Sequence, residues 1–303
     1  MGMMRSKAGR WGQWALAALV VGLGQFAPGT ETPPMPAAEL VRLTVQNEIK
    51  ATDNPTARHL FAARKETAHG SQTKLYCETK DAMAGMAIAY DDKPLTAQQR
   101  QAEEARLDQL QKSPAELAKK RQHEKEDAER IGRIVRAMPD AFFYEYDGTE
   151  SGRSGLGKQG SELVRLKFRP NPKYEPPSHV EQILQGMQGY LLIDPQTYRI
   201  ARIDGTLFKE VGFGWGILGH LDKGSHFLVE QGDVGDGSWD MARMSLTITG
   251  KVLLFKRLDI KSTETYSDFR SVPTGLTFAQ GVELLKKQEA TLAENHRSQT
   301  DHN

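Results

Sequence analysis

Residues 189–205 read GYLLIDPQTYRIARIDG. Two runs of strand-forming residues, 190–193 and 198–203, flank Asp194-Pro195-Gln196-Thr197, where proline suits the second position of a tight turn. The stretch predicts a β-hairpin. Just before it, Ser178 and Glu181 form a capping-box pattern. Val180, Ile183, Leu184 and Met187 then mark one face of a short helix, stopped by Gly189. Upstream, residues 163–169 alternate with period two: Val164, Leu166 and Phe168 on one face, Arg165, Lys167 and Arg169 on the other. Such a strand has one buried and one wet face. Downstream, strands are expected at 206–213, 225–232, 238–249, 251–260 and 263–272, with a turn at Thr249-Gly250. Connections this local predict an antiparallel meander rather than βαβ crossovers.

The N-terminal half reads as a helix over 37–51, then two strands over 57–69 and 73–90. Capping boxes at Thr96/Gln99 and Ser113/Glu116, with Pro114 at a first-turn position, open two helices at about 97–111 and 114–137. Glu116–Lys120, Glu126–Arg130 and Glu129–Arg133 are acid-before-base pairs four apart. Apolar residues are sparse there until Ile131, Ile134, Val135 and Met138, so the second helix begins solvated and ends in the core. A fourth box, Thr277/Gln280, opens a helix running to about 294, and the polar residues 296–303 read as a disordered tail.

Arg5, Lys7 and Arg10 precede an apolar run over 14–23, and no acid occurs before Glu31. That is the layout of a secretory signal peptide, here 1–27, and the run is too short to cross a bilayer. Residues 28–36, with four of the 14 prolines, read as an extended tether. The whole chain of 303 residues carries 40 basic and 39 acidic side chains. Without the signal, 37 face 39, a net of −2. That balance excludes a protein that works by neutralising a nucleic-acid backbone. The one cysteine, Cys77, has no partner for an internal disulfide, so an exported chain of this size relies on its core.

An exported chain, a leading helix, two long strands, an inserted helical pair and a long meander, with segments such as GYLLIDPQTYRIARIDG and ITGKVLLFKRLDIKSTETYSDFRSV, resemble the periplasmic lipoprotein-carrier superfamily of LolA/LolB-type half-barrels. The resemblance covers about 37–290 and rests on element order. It implies an α+β fold in which a strongly curved antiparallel sheet wraps helices and leaves an apolar cleft. It also implies binding of acyl chains or lipidated proteins without chemistry. The domain expected is a single half-barrel over 37–295 with a helical insertion at 96–138.

The residues expected to line or close the cleft are Met86, Phe168, Met187, Phe213, Trp215, Met241 and Met244; methionine suits adaptable apolar binding. Phe213 and Trp215 lie in a glycine-rich stretch that matches G-x-G-x-x-G at 214–219. A dinucleotide site needs a helix opening at the third glycine, and HLDKGSHFLVEQ instead reads as a turn and a strand. The two aromatics close over a ligand or plug one end of the core. His220, Asp222 and His226 offer metal-ligand atoms, but two histidines in a turn favour a surface role, so no metal is expected. Asp233 and Asp236 lack the spacing of a calcium loop. Arg165, Lys167 and Arg169 are a face for an anionic partner or, more simply, solvated strand charges. No catalytic set and no cofactor site is expected. The leading reading is a non-enzymatic binding protein of the periplasm or cell envelope that holds a lipid or lipidated protein, with no transmembrane span once the signal is removed. The alternative is an envelope scaffold that docks a protein partner through the charged helices 97–137.

Overall fold

The computed structural model describes residues 35–300 apart from 54, 56, 214–218, 236 and 253–255. Three of the helices open on the caps that the sequence supplies. Thr96 Oγ1 accepts the Gln99 N–H at 3.3 Å while the Gln99 side chain accepts the Thr96 N–H at 2.9 Å. Ser113 Oγ accepts the Glu116 N–H at 3.4 Å, and Thr277 with Gln280 repeats the reciprocal pattern. Each bond satisfies an amide that the first helical turn leaves without a partner. The order is α1 (Ala37–Asp53), β1 (Arg58–Thr67), β2 (Gly70–Cys77), β3 (Ala84–Tyr90), β4 (Lys93–Pro94), α2 (Ala97–Lys112), α3 (Pro114–Ala141), β5 (Phe142–Ser151) and β6 (Glu162–Pro170). A 3₁₀ turn (Glu181–Gly186) leads into β7 (Met187–Asp194), β8 (Arg199–Leu207), β9 (Val211–Phe213), β10 (Gly219–Leu221), β11 (His226–Asp233), β12 (Trp239–Val252), β13 (Lys256–Val272) and α4 (Phe278–Thr300).

Among the described residues, thirteen strands join one antiparallel sheet, in the order β4-β3-β2-β1-β13-β12-β11-β8-β7-β6-β5, with β10 pairing β12 and β9 pairing β10. The hairpin at its heart forms as expected, with Asp194 Oδ1 accepting the N–H groups of Gln196 and Thr197. Four expectations change. The segment 73–90 is two strands, split by the turn in which Thr79 Oγ1 donates to the Ala82 carbonyl at 2.6 Å. The segment after Ser178 is a six-residue 3₁₀ turn, and Ser178 spends its hydroxyl on the Glu181 carboxylate. Thr249-Gly250 is no turn: β12 runs through it, and a side chain on Gly250 would collide with the His220 carbonyl of β10. Helix α4 also runs past 294, to Thr300.

The sheet is curved and open. Strands β3 and β5, near its two edges, are nine antiparallel steps apart, about 43 Å across if flat. Yet α3 reaches both: the Glu124 carboxylate accepts the N–H of Met83, just before β3, and Phe142 follows α3 directly into β5. From Glu124 to Phe142 the helix is only about 27 Å long. Because β3 and β5 run in opposite directions, the crossing is diagonal, which makes the mismatch larger. The sheet therefore bows, and α3 lies across the bow as a strap. The architecture is an α+β half-barrel.

Two cores lie on opposite faces. On the concave face, Leu40, Val41 and Val45 of α1 and Met138 of α3 pack on Leu166, Phe168, Leu191 and Ile193. On the convex face, Phe278, Val282 and Leu285 of α4 and Leu107 of α2 pack on Leu60, Leu75, Cys77 and Met86. A third, small cluster (Leu156, Leu163, Leu192, Ala201) seals the 152–161 loop to the sheet.

Candidate ligand-binding face

Helices pack along β2, β3, β5 and β8, whereas among the described residues β11 and β13 meet helices near their ends, as at Gln231–Glu48 and Arg270–Gln288. An antiparallel sheet normally covers one face with another layer. Pairing fixes what this middle section shows to the concave side. Val229 pairs with Met244, Met244 with Glu264, Leu246 with Ser262 and Ile248 with Ile260, and paired residues share a face. The strip continues through Ile203 into the α1 core. On β12 the concave residues Met244, Leu246 and Ile248 alternate with Arg243, Ser245 and Thr247, which face the convex side. Phe227, Val229, Met244, Leu246 and Ile248 are only half-buried, and Ile260 is 39% exposed. A bulge opposite Glu230 and Gln231 interrupts the alternation before Met241, which pairs with Gln231.

An aromatic stack forms the floor at the β1–β2–β13 end. The Phe61 ring lies 5.5 Å from Tyr76, 5.2 Å from Phe269 and 6.1 Å from Tyr266, centre to centre. Polar groups bound this floor at both ends. At one, Glu264 receives a hydrogen bond from Tyr266 Oη at 2.7 Å and pairs with Lys65 at 2.6 Å. Burial would raise the Glu264 carboxyl, but Lys65 and Tyr266 outweigh it and hold it below its ordinary value. Burial and that same carboxylate push the Tyr266 hydroxyl far up. At the other end His59 Nδ1 stands 3.5 Å from Asp240 and 3.9 Å from Glu78. Burial, then the neighbouring carboxylate, raises Glu78; burial also raises Asp240. His59 is 4% exposed and meets Phe269 edge-on, so its ring is enclosed rather than presented to a substrate.

The residues expected at the cleft part company. Met244 lies on the strip, and Met241 lies past the bulge at its end. Phe168 and Met187 are on the same face but enclosed beneath α1 and α3. Met86 is on the convex side, fully buried under α2 and α4, and cannot line the concave face. Phe213 ends β9, and Trp215 lies outside the described residues. Gly219, the third glycine of the G-x-G-x-x-G match, opens a strand, so the helix a dinucleotide site requires is not there. Arg165 pairs with Asp147 at 3.1 Å, with its N–H aimed elsewhere, and stacks 4.1 Å over Tyr190. Arg169 pairs with Glu145 at 3.6 Å. Much of that basic face is thus answered by acids of the neighbouring strand β5. The sequence reading missed the aromatic floor, although the period-two spacing of Phe61 and Ala63 was a signal for it.

The convex side has a groove of about 360 Å³ between the sheet and α4. Leu60, Ala62, Leu75, Ile88 and Leu292 line it, with Arg64, Arg270 and Gln288 at the rim. Arg64 is held by Asp92 and Glu66, and Arg270 by Gln288, so the rim is internally paired.

No family model matches the chain, and no curated protein matches it. Among solved structures it is similar to a domain described as an outer membrane lipoprotein-sorting protein from Vibrio parahaemolyticus. That match has 14% identity and a TM-score of 0.30, over 81% of this chain and 98% of the other. It is also similar to a DUF1329 family protein from Desulfovibrio piger, at 12% identity and a TM-score of 0.30, over 82% and 99% of the two chains. Sheet order and curvature define the half-barrel. No described helix is long and apolar enough to cross a membrane.

Proposed function

We propose that the protein is a non-enzymatic binding protein of the cell envelope whose concave face holds an apolar ligand, an acyl chain or the lipid of a lipidated protein. The observation that carries this is the middle of the sheet: apolar on its concave side, half-exposed, and without a helix layer. Apolar area left this way is stabilised when something covers it, by about 25 cal/mol per Å² removed from water. The enclosed His59 and the raised tyrosine hydroxyls supply no exposed nucleophile with a base beside it, which favours holding over turnover. Residues 1–27 serve as the export signal and 28–36 as the tether in this reading, with 37–295 as the folded domain. The scaffold reading is the weaker one. Helix α2 places Leu107, fully buried, in the convex core, and α3 is fastened to the sheet at Glu124 and where it runs into β5, so these helices do not form a free arm.

The test uses chain neighbours on opposite faces. Purified protein lacking residues 1–27 is offered a fluorescent fatty-acid probe and examined by native mass spectrometry. Met244→Lys is expected to lower uptake by about tenfold or more, since it places a charge on the apolar strip. Ser245→Lys, on the convex face, is expected to bind as the parent does. A parent that takes up no probe and carries no acyl species, or equal loss in both variants, overturns the proposal.

A further inference from the structure

The short strands β9 and β10 bring one imidazole and two carboxylates together away from the concave strip. Glu210 directly precedes β9, His220 is the middle residue of β10, and Asp222 directly follows it. Pairing sets Val211 against Leu221 and Gly212 against His220. Glu210 and Asp222 therefore extend the two strands side by side, and the position across from the imidazole carries no side chain. His220 Nε2 lies 3.3 Å from Asp222 Oδ1 and 3.9 Å from Glu210 Oε2. One ligand atom from each residue lies within 4.8 Å of the other two. Among the described residues this is the group of three or more His, Cys, Asp or Glu that meets that spacing.

The spacing suits a metal ion. Bonds of about 2.0–2.1 Å arranged tetrahedrally set neighbouring donor atoms about 3.3 Å apart. The His220–Asp222 separation already equals that edge, and Glu210, with a 64% exposed side chain, has freedom to close the remainder. The backbone beneath is fixed. β10 is paired on both sides, by β9 and by residues 250–252 of β12, and the Asp222 N–H donates to the Thr249 carbonyl at 2.9 Å. Hard cations such as Ca²⁺ prefer six to eight oxygen donors, and Mg²⁺ keeps an octahedral oxygen shell. One imidazole with two carboxylates is a donor set for borderline ions of the zinc class. The neighbouring histidine of the same sequence stretch goes elsewhere: His226 Nε2 contacts Asp204 Oδ1 at 2.9 Å.

We propose that Glu210, His220 and Asp222 bind one borderline divalent cation, Zn²⁺ being the representative ion, with water completing its coordination. The three protein donors leave an open position, as in sites that exchange a ligand rather than in closed structural sites. The site is independent of the apolar strip.

The experiment uses tag-free protein lacking residues 1–27, stripped with a chelator and titrated calorimetrically with Zn²⁺, with Mg²⁺ as the hard-ion control. One Zn²⁺ per chain is expected. His220→Ala and Asp222→Asn are each expected to weaken binding by about tenfold or more. His226→Ala is expected to bind as the parent does, and the His220 ring resonances are expected to shift on loading. Circular dichroism of both variants separates lost ligation from lost folding, and Asp222→Asn preserves the shape of the side chain. No binding by the parent overturns the proposal, as does Zn²⁺ affinity that survives both substitutions or falls equally in His226→Ala.

Discussion

Met244 and Ser245 are chain neighbours in opposite surroundings, and register decides which is which. The alternation of β12 was legible in the sequence because polar and apolar residues take turns. Met86 was not legible in the same way. In β3 both Met86 and Ala87 are buried, so period two gives no sign of which side faces the cleft. Only the pairing of Leu75 with Met86, and of Leu60 with Cys77, assigns the residue to the side of α4. The polar end of the aromatic floor was equally hidden, since His59, Glu78 and Asp240 come from three separate strands or strand ends. Burial raises the Asp240 carboxyl, so the folded chain retains a proton that the unfolded chain releases. Stability from this group is fully present below the ordinary aspartate value and is lost as pH rises through the raised folded one. Glu78 acts in the same direction. Asp240→Asn keeps an oxygen for the Met241 N–H. Its urea midpoint, measured from acid to neutral pH, should gain on the parent's as pH rises. A difference that stays flat or shrinks would contradict this assignment.

At the scale of elements, helix starts were legible wherever cap and helix were local, as at Thr96, Ser113 and Thr277. Ser178 misled because its pattern precedes only a 3₁₀ turn, and Glu181 turns its carboxylate to the serine hydroxyl and toward Arg133, 3.9 Å away. Gly250 misled for a different reason. A glycine after threonine between two apolar runs looks like a hairpin turn, yet its role is to let β10 approach β12. Nothing within a dozen residues of Gly250 reveals that approach. Gly250→Ala should therefore cost about 1–3 kcal/mol through crowding against the His220 carbonyl. Chemical denaturation would show it, and amide exchange should rise along β10 ahead of the rest of the sheet. An unchanged midpoint would mean that the close approach relaxes freely.

For the whole molecule, the half-barrel followed from hairpin locality, whereas the placement of α1 and α4 on opposite faces did not. That placement depends on counting residues through several bulges, at Leu60/Ala62, Thr73/Lys74 and Glu230/Gln231. If the concave strip holds an apolar ligand, as proposed, stability should depend on that ligand's concentration. Ligand at one hundred times its dissociation constant should add about 2.7 kcal/mol to unfolding. The melting temperature should climb with fatty-acid concentration in the parent and stay level in Met244→Lys; a level parent would count against the site. The insertion of β13 between β1 and β12 has a further consequence, in time rather than in space. Residues 58–67 pair locally with β2 but find their second partner only at 256–272, so a growing chain holds two part-sheets, each with an edge still unpaired. Such ladders are open to pairing with other chains, and contacts this distant in sequence form slowly. Assembly of the whole sheet therefore waits for residues 256–272.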